Sequence, residues 1–209
     1  MDIDTERIEN LNNNMMVFSW MSKAVDYPDE KFAEDLTRGQ FIHNLSDEKA
    51  RAIKEYTDAF ESADELLLDL QKDYTRMCFV SKPRLVPLFE SVYKEGKLYQ
   101  DSTFQIARLY DKAGIKLGKE FKLPPDHITL ELEFMSYLIF QEIEAIKNGN
   151  KENEDMALQL QKEIMDKHLI KFGLSLGDRL TQHAKTRFYH GLGDILKDFL
   201  QFEFWHYQN

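Results

Sequence analysis

The sequence predicts an all-α protein, and three observations carry that prediction. Apolar residues recur at three- and four-residue spacing in almost every segment, strand-like alternation bounded by hairpin dipeptides is nearly absent, and all five prolines (Pro28, Pro83, Pro87, Pro124, Pro125) lie ahead of residue 126. The expected architecture is a single helical-bundle-like domain over residues 1–209, with about eight or more helices. Two parts, 1–120 and 127–209, are expected to join at a Pro-Pro-Asp-His hinge near 121–127.

Helices are expected near 4–24 and 29–37, on either side of Pro28, whose ring fixes φ and whose missing N–H suits a break. The next, near 46–60, has a start signal: Ser46 offers a capping hydroxyl, and Asp47 and Glu48 place negative charge beside the orphan N–H groups of a first turn. A helix near 62–80 carries Leu67, Leu70, Tyr74 and Met77 on one apolar face, with Cys78 late in it. Loops are expected around 81–100 and 114–126, with a helix near 102–113 between them.

In "KLPPDHITLELEF" the prolines stop the preceding element and Asp126 is placed to cap the helix that follows, 127–148. His127 would then sit in a first turn, near a positive helix end that disfavours a protonated imidazole, facing a groove with few core contacts. That helix is apolar on two stripes, Ile128, Leu132, Met135 and Ile139 on one and Leu130, Phe134, Tyr137 and Phe140 on the other, the pattern of a central helix. Helices near 151–172 and 187–206 complete the chain, linked through "NGN" at 148–150 and "FGLSLGD" at 172–178.

Composition narrows the functional classes. The chain has 209 residues, 43% hydrophobic and 31% charged, which is enough for a substantial core and argues against disorder. Its 37 acids against 27 basic residues give a net −10, which repels phosphate backbones and anionic membranes; a basic partner suits it and no nucleic acid is expected. One cysteine and a start, "MDIDTERIEN", without a basic, apolar leader pattern point to the cytoplasm. No integral membrane segment is expected, because even "LELEFMSYLIF" is interrupted by Glu131 and Glu133.

Catalytic signatures are missing. A ferritin-type metal site needs two Glu-x-x-His pairs and only Glu203 with His206 is present, so no metal and no cofactor are expected. Cys-x-x-Cys, His-Glu-x-x-His, P-loop and dinucleotide fingerprints do not occur. Cys78 on an apolar face reads as a buried, inert thiol.

Two segments stand out. In "DYTRMCFVSKPRLVPLFESVY", residues 73–93, an amphipathic helix runs into a Pro-bounded loop carrying Phe79, Phe89 and Tyr93, with Leu88 and Val92 near them; such a segment either packs down on a core or forms a groove for an apolar peptide. The second is 124–135, "PPDHITLELEFM". Together they resemble the TorD/DmsD/NarJ-like family of redox-enzyme maturation chaperones, through Tyr74, Arg76 and Met77, then Pro87, Phe89, Ser91, Val92 and Tyr93, then Pro124, Asp126, His127, Glu131, Phe134 and Met135. Departures are Cys78 where the family usually has Phe, "VSKP" in place of a Gly-Pro, and "PLFESVY" in place of a Pro-Pro-Trp form.

The resemblance implies a cytoplasmic, non-enzymatic chaperone that binds the twin-arginine signal peptide and body of a molybdopterin oxidoreductase subunit and assists its maturation before export. It implies client-binding residues Tyr74, Arg76, Met77, Phe89, Ser91, Tyr93, Asp126, His127 and Glu131. A helical adaptor unrelated to export is the alternative reading, and a nucleotide-hydrolysing enzyme a third, disfavoured by the lack of a glycine-rich phosphate loop. A monomer or a domain-swapped dimer is expected, with exchange around the hinge.

Overall fold

The computed structural model describes residues 3–39, 48–116, 118 and 123–208, and every regular element among them is helical. In order they are α1 (Ile3–Ala24), α2 (Glu30–Thr37), α3 (Glu48–Thr57), α4 (Ala63–Thr75), α5 (Glu90–Glu95), α6 (Asp101–Lys112), α7 (Ile128–Lys147), α8 (Lys151–Ile164), α9 (Ile170–His183) and α10 (Arg187–Gln208). Two single π turns interrupt longer runs: Arg76–Val80 continues α4, and Met165–Leu169 joins α8 to α9. The expected start signal at Ser46 and Asp47 lies outside the described residues.

Local sequence explains most boundaries. Asp29 accepts the N–H of Phe32 at 2.7 Å, Ser62 that of Glu65 at 3.2 Å and Asn150 that of Asn153 at 3.1 Å, each satisfying an orphan donor of the helix it begins. Gly96, at φ 77°, ends α5 in the left-handed region that a residue without Cβ enters at least cost.

Three expectations are corrected. The loop at 81–100 contains α5. The stretch 172–178, expected as a linker, is the interior of α9. Its glycines serve close packing: a Cβ on Gly177 would come 2.7 Å from the carbonyl oxygen of Gly193, and a Cβ on Gly193 would come 2.6 Å from that of Gly177, so α9 and α10 meet backbone to backbone. In α7, Ile128, Leu132, Met135 and Ile139 are fully buried, whereas the second stripe grades outward from buried Phe134 to Phe140, which is 44% exposed.

The residues gather into two compact units, each drawn from separate stretches of chain. One comprises Met1–Ser22, Phe89–Phe172 and Phe204–Asn209; the other comprises Lys23–Leu88 and Gly173–Glu203. The expected parts 1–120 and 127–209 do not coincide with these units. Asp126 and His127 lie inside the first unit, where they bond to the chain at Phe89, Glu90 and Ser91.

In the first unit α7 packs along α8, burying Leu132, Met135, Ile139, Leu160 and Ile164. α1 is tied to α7 by two hydroxyls, Ser22 Oγ donating to the Thr129 carbonyl at 2.9 Å and Ser136 Oγ to that of Met15 at 3.1 Å. Arg7 bridges two acids, Glu142 at 2.6 Å and Glu154 at 2.8 Å, and Gln161 donates to Glu142 at 2.8 Å while accepting from the Tyr207 hydroxyl at 2.8 Å. In the second unit α2 packs on α4, and its core holds Phe32, Leu36, Leu66, Leu70, Phe188, Tyr189 and Leu196.

Candidate functional site

The nine residues singled out in the sequence divide between the units: Tyr74, Arg76 and Met77 belong to the second, and Phe89, Ser91, Tyr93, Asp126, His127 and Glu131 to the first.

In the second unit the three residues face inward. Tyr74 and Met77 are buried, and the Tyr74 hydroxyl donates to the Val25 carbonyl at 3.2 Å. Arg76 closes a clasp. Its Nη2 donates to Asp73 Oδ1 at 2.6 Å and to the His183 carbonyl at 2.5 Å, while Asp73 Oδ2 accepts the backbone N–H groups of Lys185 and Thr186, each at 2.8 Å. Asp73 thereby satisfies the entry to α10 from the end of α4. Beside it the Cys78 thiol is buried, and burial pushes its pKa up to about 12, which keeps it protonated and unreactive at neutral pH.

In the first unit the other six residues come together with partners that the sequence did not single out. Phe89 and His127 form an isolated antiparallel bridge, and their rings meet edge to face with centroids 5.0 Å apart. The Asp126 carbonyl accepts the N–H of Glu90 at 2.9 Å, and Asp126 Oδ2 accepts the N–H of Ser91 at 2.9 Å. Asp126 therefore caps a helix, but not the one expected: its carboxylate satisfies the first turn of α5.

The cap of α7 is His127, whose Nδ1 accepts the Thr129 N–H at 3.3 Å and lies 2.7 Å from the Thr129 hydroxyl. Facing two donors, Nδ1 is the accepting nitrogen, so a neutral ring carries its proton on Nε2. His127 is only 4% exposed, which corrects the expectation of a first-turn side chain open to a groove. The bridge to Phe89 draws it in.

Behind this bridge lies a buried polar cluster. Glu90, Asp126 and Glu131 are all fully inaccessible. Glu90 Oε2 is 2.8 Å from His168 Nδ1, and its Oε1 is 2.5 Å from Lys94 Nζ, off the line of a hydrogen bond. Both oxygens of Glu131, Asp126 Oδ1, Ser91 Oγ and Thr103 Oγ1 lack a hydrogen-bond partner among the described residues. Burial above all, then the neighbouring Glu90 and Asp126, hold the Glu131 carboxyl well above the usual carboxylate range, with Lys94 acting the other way. Burial thus favours the protonated form of Glu131.

The Tyr110 hydroxyl closes the cluster on one side by donating to the Pro125 carbonyl at 2.8 Å. Tyr93 is half-buried, its ring centroid 5.2 Å from that of Phe172. Phe89 and Tyr93 are the members of this group with open surface, while Ser91, Asp126, His127 and Glu131 stand behind them. Glu90, Lys94, Thr103, Tyr110 and His168 escaped the sequence reading because only the fold unites them; Glu90 and His168 are 78 positions apart. No group of three or more His, Cys, Asp or Glu side chains among the described residues is placed to hold a metal ion. No described helix is long and apolar enough to cross a membrane.

Comparison with known proteins places the chain. Residues 43–174 match the nitrate reductase delta subunit family. The chain is 24% identical to the chaperone protein TorD of Vibrio cholerae serotype O1 over 167 residues, covering 77% of this chain and 74% of that protein. It is 27% identical to the TorD chaperone of Photobacterium profundum over 161 residues, covering 72% and 73%. A crystal structure from Archaeoglobus fulgidus, described as a redox enzyme maturation protein, shares the fold with a TM-score of 0.55 at 24% identity, over 90% of this chain and 93% of that one.

Proposed function

The chain belongs to the nitrate reductase delta subunit family, and from that membership we propose that it is a cytoplasmic chaperone for a molybdopterin oxidoreductase subunit, binding the subunit's twin-arginine signal peptide before export. The observation that carries the reading is the meeting, in one unit, of the later part of the first segment that resembles maturation chaperones with the second: Phe89 with Ser91 and Tyr93, joined to Asp126 and His127. The likeness to proteins named TorD chaperones supports the same class.

Phe89 and Tyr93 supply the apolar contact in this reading. Asp126, His127, Ser91 and Glu131 hold the α5 turn that presents those rings, and Arg76 and Tyr74 serve the other unit's packing rather than the client. A twin-arginine leader is basic at one end and apolar beyond it, so the chain's net −10 aids encounter while ring contacts hold the complex. Burying a Leu or Phe stabilises by roughly 1.5–3 kcal/mol, whereas an exposed ion pair adds about 0–1 kcal/mol. The leader's apolar stretch should therefore matter more than its arginines.

The test is calorimetric titration with twin-arginine leaders of molybdopterin oxidoreductase subunits. Micromolar or tighter binding is expected, weakened more by shortening the apolar stretch than by replacing both arginines. Phe89→Ala should weaken it by about tenfold or more while the variant stays folded. No heat and no competition with any leader would overturn the proposal.

A further inference from the structure

Phe79 and Val80 close the π turn Arg76–Val80 with their side chains outward, 49% and 65% exposed, and Tyr27 stands beside them at 45%. The exposed rings form a connected group. Tyr27 is 6.4 Å from Phe79 between centroids, Phe79 is 5.7 Å from Tyr74, and Tyr74 is 5.9 Å from the buried ring of Tyr189, so the open edge is backed by an aromatic column running into the core.

The loop that follows is fixed rather than loose. The Ser81 hydroxyl donates to the Arg76 carbonyl at 2.8 Å, the N–H groups of Leu85 and Val86 both donate to the Met77 carbonyl at 3.1 Å, and Arg179 Nη1 donates to the Leu85 carbonyl at 3.0 Å. Held this way, the loop exposes Lys82 and Arg84, which have no ion-pair partner among the described residues. Between Tyr74 and Phe89 the sequence has Arg76, Lys82 and Arg84 and no acid, in a chain whose net charge is −10. Apolar rings and unpaired cations kept at the surface by a pinned loop are features that folding alone does not require.

We propose that Tyr27, Phe79, Val80, Lys82 and Arg84 form a docking surface for an acidic, apolar protein segment. An aromatic or aliphatic side chain of the segment rests on the ring edges, and flanking Asp or Glu residues reach Lys82 and Arg84. Charge decides the occupant. A nucleic acid or an anionic bilayer spreads its negative field over the whole acidic chain and is repelled, whereas a short segment meets only the local cations. A basic leader is repelled by this loop, so the surface is distinct from the leader site proposed above and does not depend on it.

The test is fluorescence anisotropy with a labelled peptide of Leu and Phe flanked by Asp and Glu, titrated with the full chain, the double variant Lys82→Glu/Arg84→Glu, and Phe79→Ser. Thermal unfolding should be little changed in the charge-reversed variant, since Lys82 and Arg84 are exposed, and lowered by a few degrees in Phe79→Ser, whose half-buried ring rests on Tyr74, with the variant still folded. Affinity should fall about tenfold or more in each, and a peptide with Lys in place of its acids should bind the unaltered chain more weakly. A twin-arginine leader titrated in parallel should be unaffected or strengthened by the charge reversal, which separates failure of this surface from failure of the leader site.

Acidic-peptide affinity that is absent, or equal in the double variant, overturns the proposal. So does a double variant that instead loses leader binding, self-association in sedimentation, or capture by phosphatidylserine vesicles.

Discussion

The carboxylate of Asp126 accepts the backbone N–H of Ser91 at 2.9 Å, although the two residues are 35 positions apart. A six-residue helix such as α5 is too short to persist by itself, and this bond supplies a first-turn acceptor and a negative charge that its own N-cap residue, Phe89, lacks.

Asp126→Ala should therefore cost about 1–2 kcal/mol, read as faster amide exchange at Glu90 and Ser91 and a lower urea midpoint. Asp126→Asn keeps an oxygen for the Ser91 N–H and removes one charge from a crowded acidic cluster, so it should be close to neutral. Equal destabilisation by both changes would show that the charge, not the cap, matters.

Glu131 sets a pH dependence. Its folded pKa lies well above the ordinary 4.5, so between those values the folded chain holds a proton that unfolding releases. Stability is then greatest below the ordinary value and falls as pH rises through the window, by up to about 1.4 kcal/mol per pH unit. The groups that set the balance are Glu90, Asp126 and Lys94, with Tyr110 nearby and His168 bound to Glu90. Urea midpoints taken from about pH 5 to about pH 8 should decline in the natural chain and decline less in Glu131→Gln. Parallel slopes would mean that Glu131 is ionised in the fold.

Gly193→Ala should destabilise by about 1–3 kcal/mol, because the new methyl meets the Gly177 carbonyl and the Thr181 side chain, each 2.6 Å away, and α9 and α10 would have to separate. Gly149→Ala is the contrast. Nothing lies within 4 Å there, and only its φ of 63° resists the change. Thermal melts of the two variants distinguish lost packing from backbone strain.

Asp73→Ala should leave the Lys185 and Thr186 N–H groups without their acceptor and the Arg76 guanidinium without its carboxylate partner, with only the His183 carbonyl remaining to it, and cost about 2–4 kcal/mol. Exchange at those two amides should quicken together. Asp73→Asn, which retains one oxygen, should cost less.

Much of this fold was legible because helices announce themselves locally. The inward stripe of α7 follows from its periodicity, and the ends of α2 and α8 follow from Asp29 and Asn150. What escaped depends on distant partners. Gly173 and Gly177 read as a linker because a glycine in a loop and a glycine under a crossing helix look alike in one sequence. α5 went unseen because its cap comes from Asp126. The motif residues read as one group in the sequence but divide between the two units, and Arg76 resembles a ligand-binding cation until its bond to the His183 carbonyl, 107 positions away, occupies it.

The π turn at Met165–Leu169 settles how α8 and α9 can be altered. Buried side chains recur there at every fourth position, Leu160, Ile164, His168, Phe172, Leu176 and Leu180. A regular α-helix would carry such a series sideways by roughly 40° per step, and one wider turn takes back part of the drift. The run therefore contains one residue more than an unbroken helix of the same length of axis would hold. A deletion within 165–169 would restore regular winding and rotate the side chains that follow it by about 100° relative to α8, turning buried Phe172 away from its present position in a single genetic event. Substitutions in this turn are matters of degree, whereas its length acts as a reading frame for the surface of the helix beyond it.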